Sequence, residues 1–305
     1  MQRLFLIFLI LPLIGYGQDA HKITYSILNE KLEGRRQLSF NEAVFLVESS
    51  YEQILSWADW KKTIEATKQL VNIHQLSNKL DYEQKDKETI GTYASLFKVL
   101  TDTTGIIFKG ENLVHLPYRY DFEDIFGSKD WSNMFVSKLL VTGTGNCHSL
   151  PFLYKIICEE LNVPCKLALA PNHIYIKHRA EKGGMYNTEL TSATFPIDAW
   201  LMASGYITLE AVQNGIYMDT LSEKESIALC VIDLAQGYDH KYPHNDGKFI
   251  LECCDLALQH FPDYINAMML KAETLLRQLK QRIPPPNPIF PSRKKSQTFA
   301  PKPKI

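Results

Sequence analysis

The amino-acid sequence predicts an α+β fold that is mainly helical, with one helix packed on a small antiparallel sheet and helical hairpins behind it. Three observations lead there. Cys147, Leu150, Leu153, Ile157 and Leu161 recur at steps of three and four, the spacing of one buried helix face. Three short stretches after that helix alternate or run apolar between turn residues, as strands do. Finally, Ser39-Phe40-Asn41-Glu42 and Ser222-Glu223-Lys224-Glu225 are capping boxes that open helices well before and well after this core.

The totals fit a globular chain. It has 305 residues, 45% hydrophobic and 22% charged, enough to bury a substantial core. A formal net charge of −1 gives no global field toward nucleic acid or an anionic membrane. At the N-terminus, Arg3 precedes the apolar run Leu4 to Ile14 and then Gly15-Tyr16-Gly17. A basic start, a short apolar stretch and small residues predict a signal peptide over 1–17, cut near Gly17 or Gln18, and an exported protein. That run is too short to span a bilayer, so no integral membrane segment is expected after its removal.

Residues 18–128 are expected to form an N-terminal helical region, although 18–37 carry no strong pattern. Helices are predicted from Ser39 to Val47, over 61–76 and over 86–101, with Asp81 to Glu88 a solvated connection. Residues 105–125 read as irregular, with at most one short hairpin. A helix near 130–140 leads into the Gly-rich entry Thr142-Gly143-Thr144-Gly145-Asn146.

The core is expected over 129–200. Pro151 is tolerated only in a first turn, which places the helix start close to Cys147. Val163, Cys165, Leu167 and Leu169 alternate as in a half-buried strand, Pro171-Asn172 turns into a second strand from His173 to His178, and Glu181 to Gly184 turns into a third from Met185 to Thr191. Beyond Ile197 the chain reads helical: one helix from Ser222 to about Gly237, one over 247–261, and one from Tyr264. Residues 201–282 carry Ala257, Pro262 and Ala272 where a tetratricopeptide repeat wants small residues and a terminal proline; a plain helical hairpin accounts for the same spacing. The Pro- and Lys-rich tail over 283–305 has too little apolar content to order itself.

Chemistry concentrates at Cys147. A thiol at a helix start meets the positive end of the dipole, and preceding glycines let backbone approach a substrate. His173, opening the second strand, is placed as a neutral base for that thiol. Glu189 lies across the hairpin, close enough to orient the imidazole; Asn187 shares its strand face and is an alternative. Asn146 is a weak candidate for an oxyanion donor beside the Cys147 N–H. His148 points aside from Cys147 in a supporting position, and His178 falls on the opposite strand face from His173. Trp131, Trp200 or Tyr175 are conceivable pocket walls. Cys147, His148, Cys165 and His173 match no ordinary zinc spacing, so neither a metal nor another cofactor is called for. Of the six cysteines, at most Cys158 and Cys165 are placed to pair.

"TGTGNCHSLPFLYKIICEELNVPCKLALAPNHIYIKH" followed by "YNTELT" resembles the transglutaminase-like superfamily, in a branch that joins this core to tetratricopeptide repeats. The resemblance covers about 130–275. It implies a papain-like fold, with Cys147 as nucleophile, His173 as base and Glu189 as acid. It also implies thiol-based chemistry on an amide or peptide bond. With the leader pattern, the expected substrate or ligand is a peptide or protein of the cell envelope, and the repeat-like helices make a catalytically silent binding module the alternative. Crosslinking members carry Asp as the third residue and Trp in the nucleophile motif. Glu189 and the lack of a Trp beside Cys147 depart from both.

Overall fold

A computed structural model of the chain describes residues 11–108 and 111–282, with residues 11–18, 106–108 and 111–113 described by backbone alone. The leader expected over 1–17 falls outside this description or on backbone alone, and the tail over 283–305 lies outside it. The fold is α+β and mainly helical.

Four helices come first: α1 (Leu11–Leu32), α2 (Phe40–Tyr51), α3 (Trp57–Ser77) and α4 (Lys87–Thr101). The quiet stretch 18–37 is thus largely helix. Its buried positions His21, Thr24, Leu28, Lys31 and Leu32 do keep helical spacing, but three of the five are polar and hide the periodicity. Lys31 explains a second departure. Lys31 is buried, and its ammonium donates to the Gln37 carbonyl at 2.9 Å and to the Glu42 carboxylate. Ser39 still caps α2 by accepting from Glu42 N at 3.2 Å, yet Glu42 serves the buried cation instead of closing the box. The connection before α4 is anchored rather than merely solvated: Lys85 N donates to Glu181 at 2.9 Å, and Glu181 N donates to Asp86 at 2.8 Å.

A hairpin follows, β1 (Thr104–Phe108) with β2 (Glu111–His115), and then β3 (Arg119–Tyr120). The helix predicted near 130–140 is split into a 3-10 turn, Trp131–Met134, and α5 (Val136–Thr142). Glu48 of α2 causes the split. Its carboxylate accepts from Val136 N at 2.6 Å and Ser137 N at 2.8 Å, starting α5 afresh at those residues. After α5 come β4 (Thr144–Gly145), parallel to β3, and α6 (Ser149–Glu160).

Helix α6 is buried on every side, not on one face. Leu150 through Cys158 are all buried, including Pro151 and Lys155. Helices α2, α3 and α4 cover one side of it, and the sheet covers the other. That sheet is antiparallel in the order β5 (Lys166–Ala170), β6 (His173–Ala180), β7 (Gly184–Thr188). Leu167, Leu169 and Ile176 join the α6 core, while Ala168, Ala170 and Tyr175 pack with Leu201, Ile207 and Met218 in a second cluster. The first strand is therefore covered on both faces rather than half-buried. Small alanines on its second face leave room for α7 (Asp198–Gly205) and α8 (Leu209–Gln213).

Three longer helices complete the described residues: α9 (Glu223–Lys241), α10 (Lys248–His260) and α11 (Ile265–Arg282). Here the Ser222 capping box is complete, with Glu225 N donating to Ser222 Oγ at 3.2 Å and Ser222 N donating to Glu225 at 2.6 Å. Helix α9 packs on α1 and α2, so one hydrophobic core runs from Leu28 to Ala267. All six cysteines are free, and Cys158 and Cys165 sit within thiol hydrogen-bonding reach of one another. No helix among the described residues is long and apolar enough to cross a membrane.

Glu48 yields a test of this packing. Burial drives its carboxyl up to about 7, against the pull of hydrogen bonds from Ser137 and Val136. A raised acid pKa stabilises the fold below the unfolded value of about 4.5 and loses that contribution as pH rises through about 7. Urea denaturation from pH 4 to 8 should therefore cost the wild type about 3 kcal/mol more than Glu48→Gln. Parallel pH profiles would contradict it.

Candidate active site

Cys147 sits in the turn that leads into α6, two residues before its first helical residue. The turn is built from two glycines and an asparagine. Gly143 caps α5 in the left-handed region at φ 71°, a conformation that costs other residues a Cβ clash. Gly145 has no space for a side chain, because a Cβ there would meet Ser149 Oγ at 2.3 Å. Both glycines are required by the turn's own backbone and packing.

Asn146 is fully buried at 0% exposure and locks the turn. Its Oδ1 accepts from His148 N at 2.9 Å and Ser149 N at 3.2 Å, while Nδ2 donates to the Ile125 carbonyl at 3.2 Å and approaches Met134 Sδ at 2.9 Å. Its amide is thereby spent and is not an oxyanion donor. His148 is held as firmly: Nδ1 faces the Met134 carbonyl at 2.9 Å and Nε2 faces Asp233 at 3.0 Å. Burial opposes its charge, but Asp233 outweighs that and raises its pKa. Both residues support the turn that carries Cys147.

His173 opens β6, and it lines the same cleft as Cys147. Nε2 pairs with Glu189 Oε2 at 2.5 Å, which leaves Nδ1 as the nitrogen for the sulfur. Glu189 stands one residue beyond β7, not inside a strand reaching Thr191. A bridge to Thr194 holds its backbone, and Thr191 donates to its other oxygen from N at 2.9 Å and Oγ1 at 2.8 Å. The thiol itself donates to the Asn172 carbonyl at 3.7 Å.

Asn187 does not share this task. It pairs in register with Lys177, and its Nδ2 donates to the Pro196 carbonyl at 2.9 Å and Asp198 at 2.7 Å. Its amide ties β7 to the start of α7, too far along the strand to orient His173. His178 lies across the sheet, with Nε2 against Tyr154 Oη at 3.0 Å and its ring stacked on Tyr93.

The electrostatics also differ from a neutral base. Burial alone would lower the His173 pKa, but hydrogen bonding to Cys147 and Glu189 and the Glu189 charge outweigh it and lift the imidazole to about 10. Burial would likewise raise Glu189, and the bond to His173 turns that into a depression. At neutral pH the site holds an imidazolium between the Glu189 carboxylate and the Cys147 sulfur.

The cleft over this row encloses about 780 Å³ of space continuous with solvent. Ile125, Phe126, Trp131 and Met134 form an apolar rim, and Leu229, Asp233, Gln236, Tyr264 and Asn266 form the opposite wall. Of the aromatic walls conceived from the sequence, Trp131 lines the cleft, stacked on His240. Trp200 is exposed on α7 and Tyr175 is buried in the second cluster. Two neighbours escaped sequence reasoning. Tyr120 interacts with the Cys147 side chain, and Asp233 lies on α9 far along the chain. Tyr120 carried no signal, since its stretch reads as irregular; only the pairing of β3 with β4 brings it here.

No protein-family model, curated protein or solved structure matches the chain.

The His173–Glu189 pair is testable by NMR titration of the ring. The wild-type imidazole should titrate near 10, and Glu189→Gln should lower that by roughly one unit or more. A raised base pKa stabilises the fold below the unfolded value of about 6.5, and this is lost as pH rises through about 10. The variant should flatten that loss; an unmoved titration would separate Glu189 from His173.

Proposed function

We propose that this chain is an exported, transglutaminase-like cysteine hydrolase or acyltransferase that acts on an amide or peptide bond. One observation carries the reading: Cys147, His173 and Glu189 stand in a row at the head of α6, the start of β6 and the end of β7. The order helix, strand, strand, strand supports a papain-like core, and the paired helices α10 and α11 support the tetratricopeptide-like reading of 201–282. Export rests on the leader pattern over 1–17, and a peptide or protein of the cell envelope is the substrate class that follows.

In this mechanism an imidazolium beside the sulfur holds a thiolate, which attacks the carbonyl carbon. The His173 proton passes to the leaving amine, and a thioester remains on Cys147. The neutral ring then takes a proton from water or from an acceptor amine, which cleaves the thioester. Glu189 keeps the ring oriented and balances its charge through both steps.

A silent binding module is the second reading, and Met268, Met269, Leu275, Leu276 and Leu279, exposed along α11, favour it. Iodoacetamide labelling followed by mass spectrometry separates the two. At pH 6, Cys147 should react at least about ten times faster than free cysteine, because the imidazolium beside it favours the attacking sulfur, and His173→Ala should remove the advantage. Reaction at the free-cysteine rate, unchanged in His173→Ala, would leave the binding reading in place.

A further inference from the structure

Attack on an amide carbonyl turns its oxygen into an oxyanion, which an enzyme stabilises with donors fixed in advance. This inference rests on the thiol-enzyme reading above. One donor is at hand, since the Cys147 N–H meets no acceptor among the described residues. The next two N–H groups, of His148 and Ser149, are both taken by Asn146 Oδ1. The Asn146 amide is itself spent, and the Asn172 carbonyl that faces the thiol can only accept. A second donor must come from another element.

Tyr120 meets that need. Arg119 N donates to the Gly143 carbonyl at 2.8 Å and Asp121 N donates to the Gly145 carbonyl at 2.7 Å, clamping the chain on both sides of Tyr120 against the nucleophile turn. Its ring packs edge-on to Phe122 with centroids 4.9 Å apart. Its side chain interacts with the Cys147 side chain, and no carbonyl or carboxylate among the described residues accepts from its hydroxyl. Burial and the nearby Cys147 and Glu189 push the phenol up to about 12, so it keeps its proton at working pH.

We propose that the Tyr120 hydroxyl is the second donor of the oxyanion hole, opposite the Cys147 N–H. When the sulfur electron pair forms the C–S bond, the carbonyl π pair moves to oxygen, and Tyr120 and Cys147 N–H each donate to it. When that pair returns, the C–N bond breaks and the amine leaves with the His173 proton. Tyr120 keeps its own proton throughout.

The full chain carrying Tyr120→Phe tests this, because the ring and its packing on Phe122 are retained and thermal melting reports whether the fold is too. Two probes are compared. Acylation by p-nitrophenyl acetate passes through an oxyanion; alkylation by iodoacetamide does not. Acylation of Cys147 should slow about 100-fold, the scale of one lost oxyanion donor, with alkylation unchanged. Equal slowing of both would assign Tyr120 to thiolate formation and overturn the proposal. So would unchanged acylation, with or without faster alkylation. A wild type acylated no faster than a free thiol also overturns it; His173-dependent alkylation of that same protein would leave the nucleophile reading standing.

Discussion

Everything in this molecule is arranged around the burial of α6 on all sides. Side chains of Leu, Ile and Phe size each contribute roughly 1.5–3 kcal/mol when fully removed from water, and α6 places Leu150, Phe152, Leu153, Ile156 and Ile157 in the core. A helix hydrophobic all round needs cover on every face. Helices α2, α3 and α4 supply one side and the sheet the other. Lys155 is buried with them, and it is tolerated because its ammonium reaches the Cys165 carbonyl at 3.3 Å and Glu223 at 2.9 Å. That pair ties the head of α9 to the middle of α6.

A helix so enclosed has a fixed end, and the fixed end is where chemistry becomes possible. Asn146 takes the first free N–H groups of α6, Gly145 presses on Ser149, and Asn133 and Met134 lend carbonyls to the same turn. Cys147 is left partly exposed between these constraints. Its partners come from rigid elements too: His173 from a paired strand, Glu189 from a bridged turn. Such support allows a largely buried imidazole to keep a proton, since hydrogen bonding and the Glu189 charge outweigh its desolvation.

Beneath the cleft, Glu48 ties α2 to the start of α5, and His148 ties the Cys147 turn to Asp233 of α9. They bring the first and last helical regions onto one site. The C-terminal helices thus do more than follow the core, because Asp233, Gln236 and Asn266 form a wall of the cleft. Substrate choice, in the enzyme reading, depends on α9 and the start of α11 as well as on the core.

Local pattern was enough for much of this. The start of α6 followed from Pro151, the order of β5, β6 and β7 from alternation and turn residues, and α9 from the Ser222 box, because each is set by neighbours within a few positions. Cys147, His173 and Glu189 were readable for the same reason: they fall within one compact stretch whose connections are short. Long-range polar contacts decided the rest. Lys31 diverted Glu42 from its box, Glu48 divided the helix near 135, and the register opposite Lys177 took Asn187 away from His173. Tyr120 and Asp233 reach the thiol site only through strand pairing and helix packing, which no spacing along the chain records. The sequence alone placed Cys147, His173 and Glu189 in one compact stretch; tertiary structure decided what surrounds them, because burial and charge depend on segments far apart in the chain.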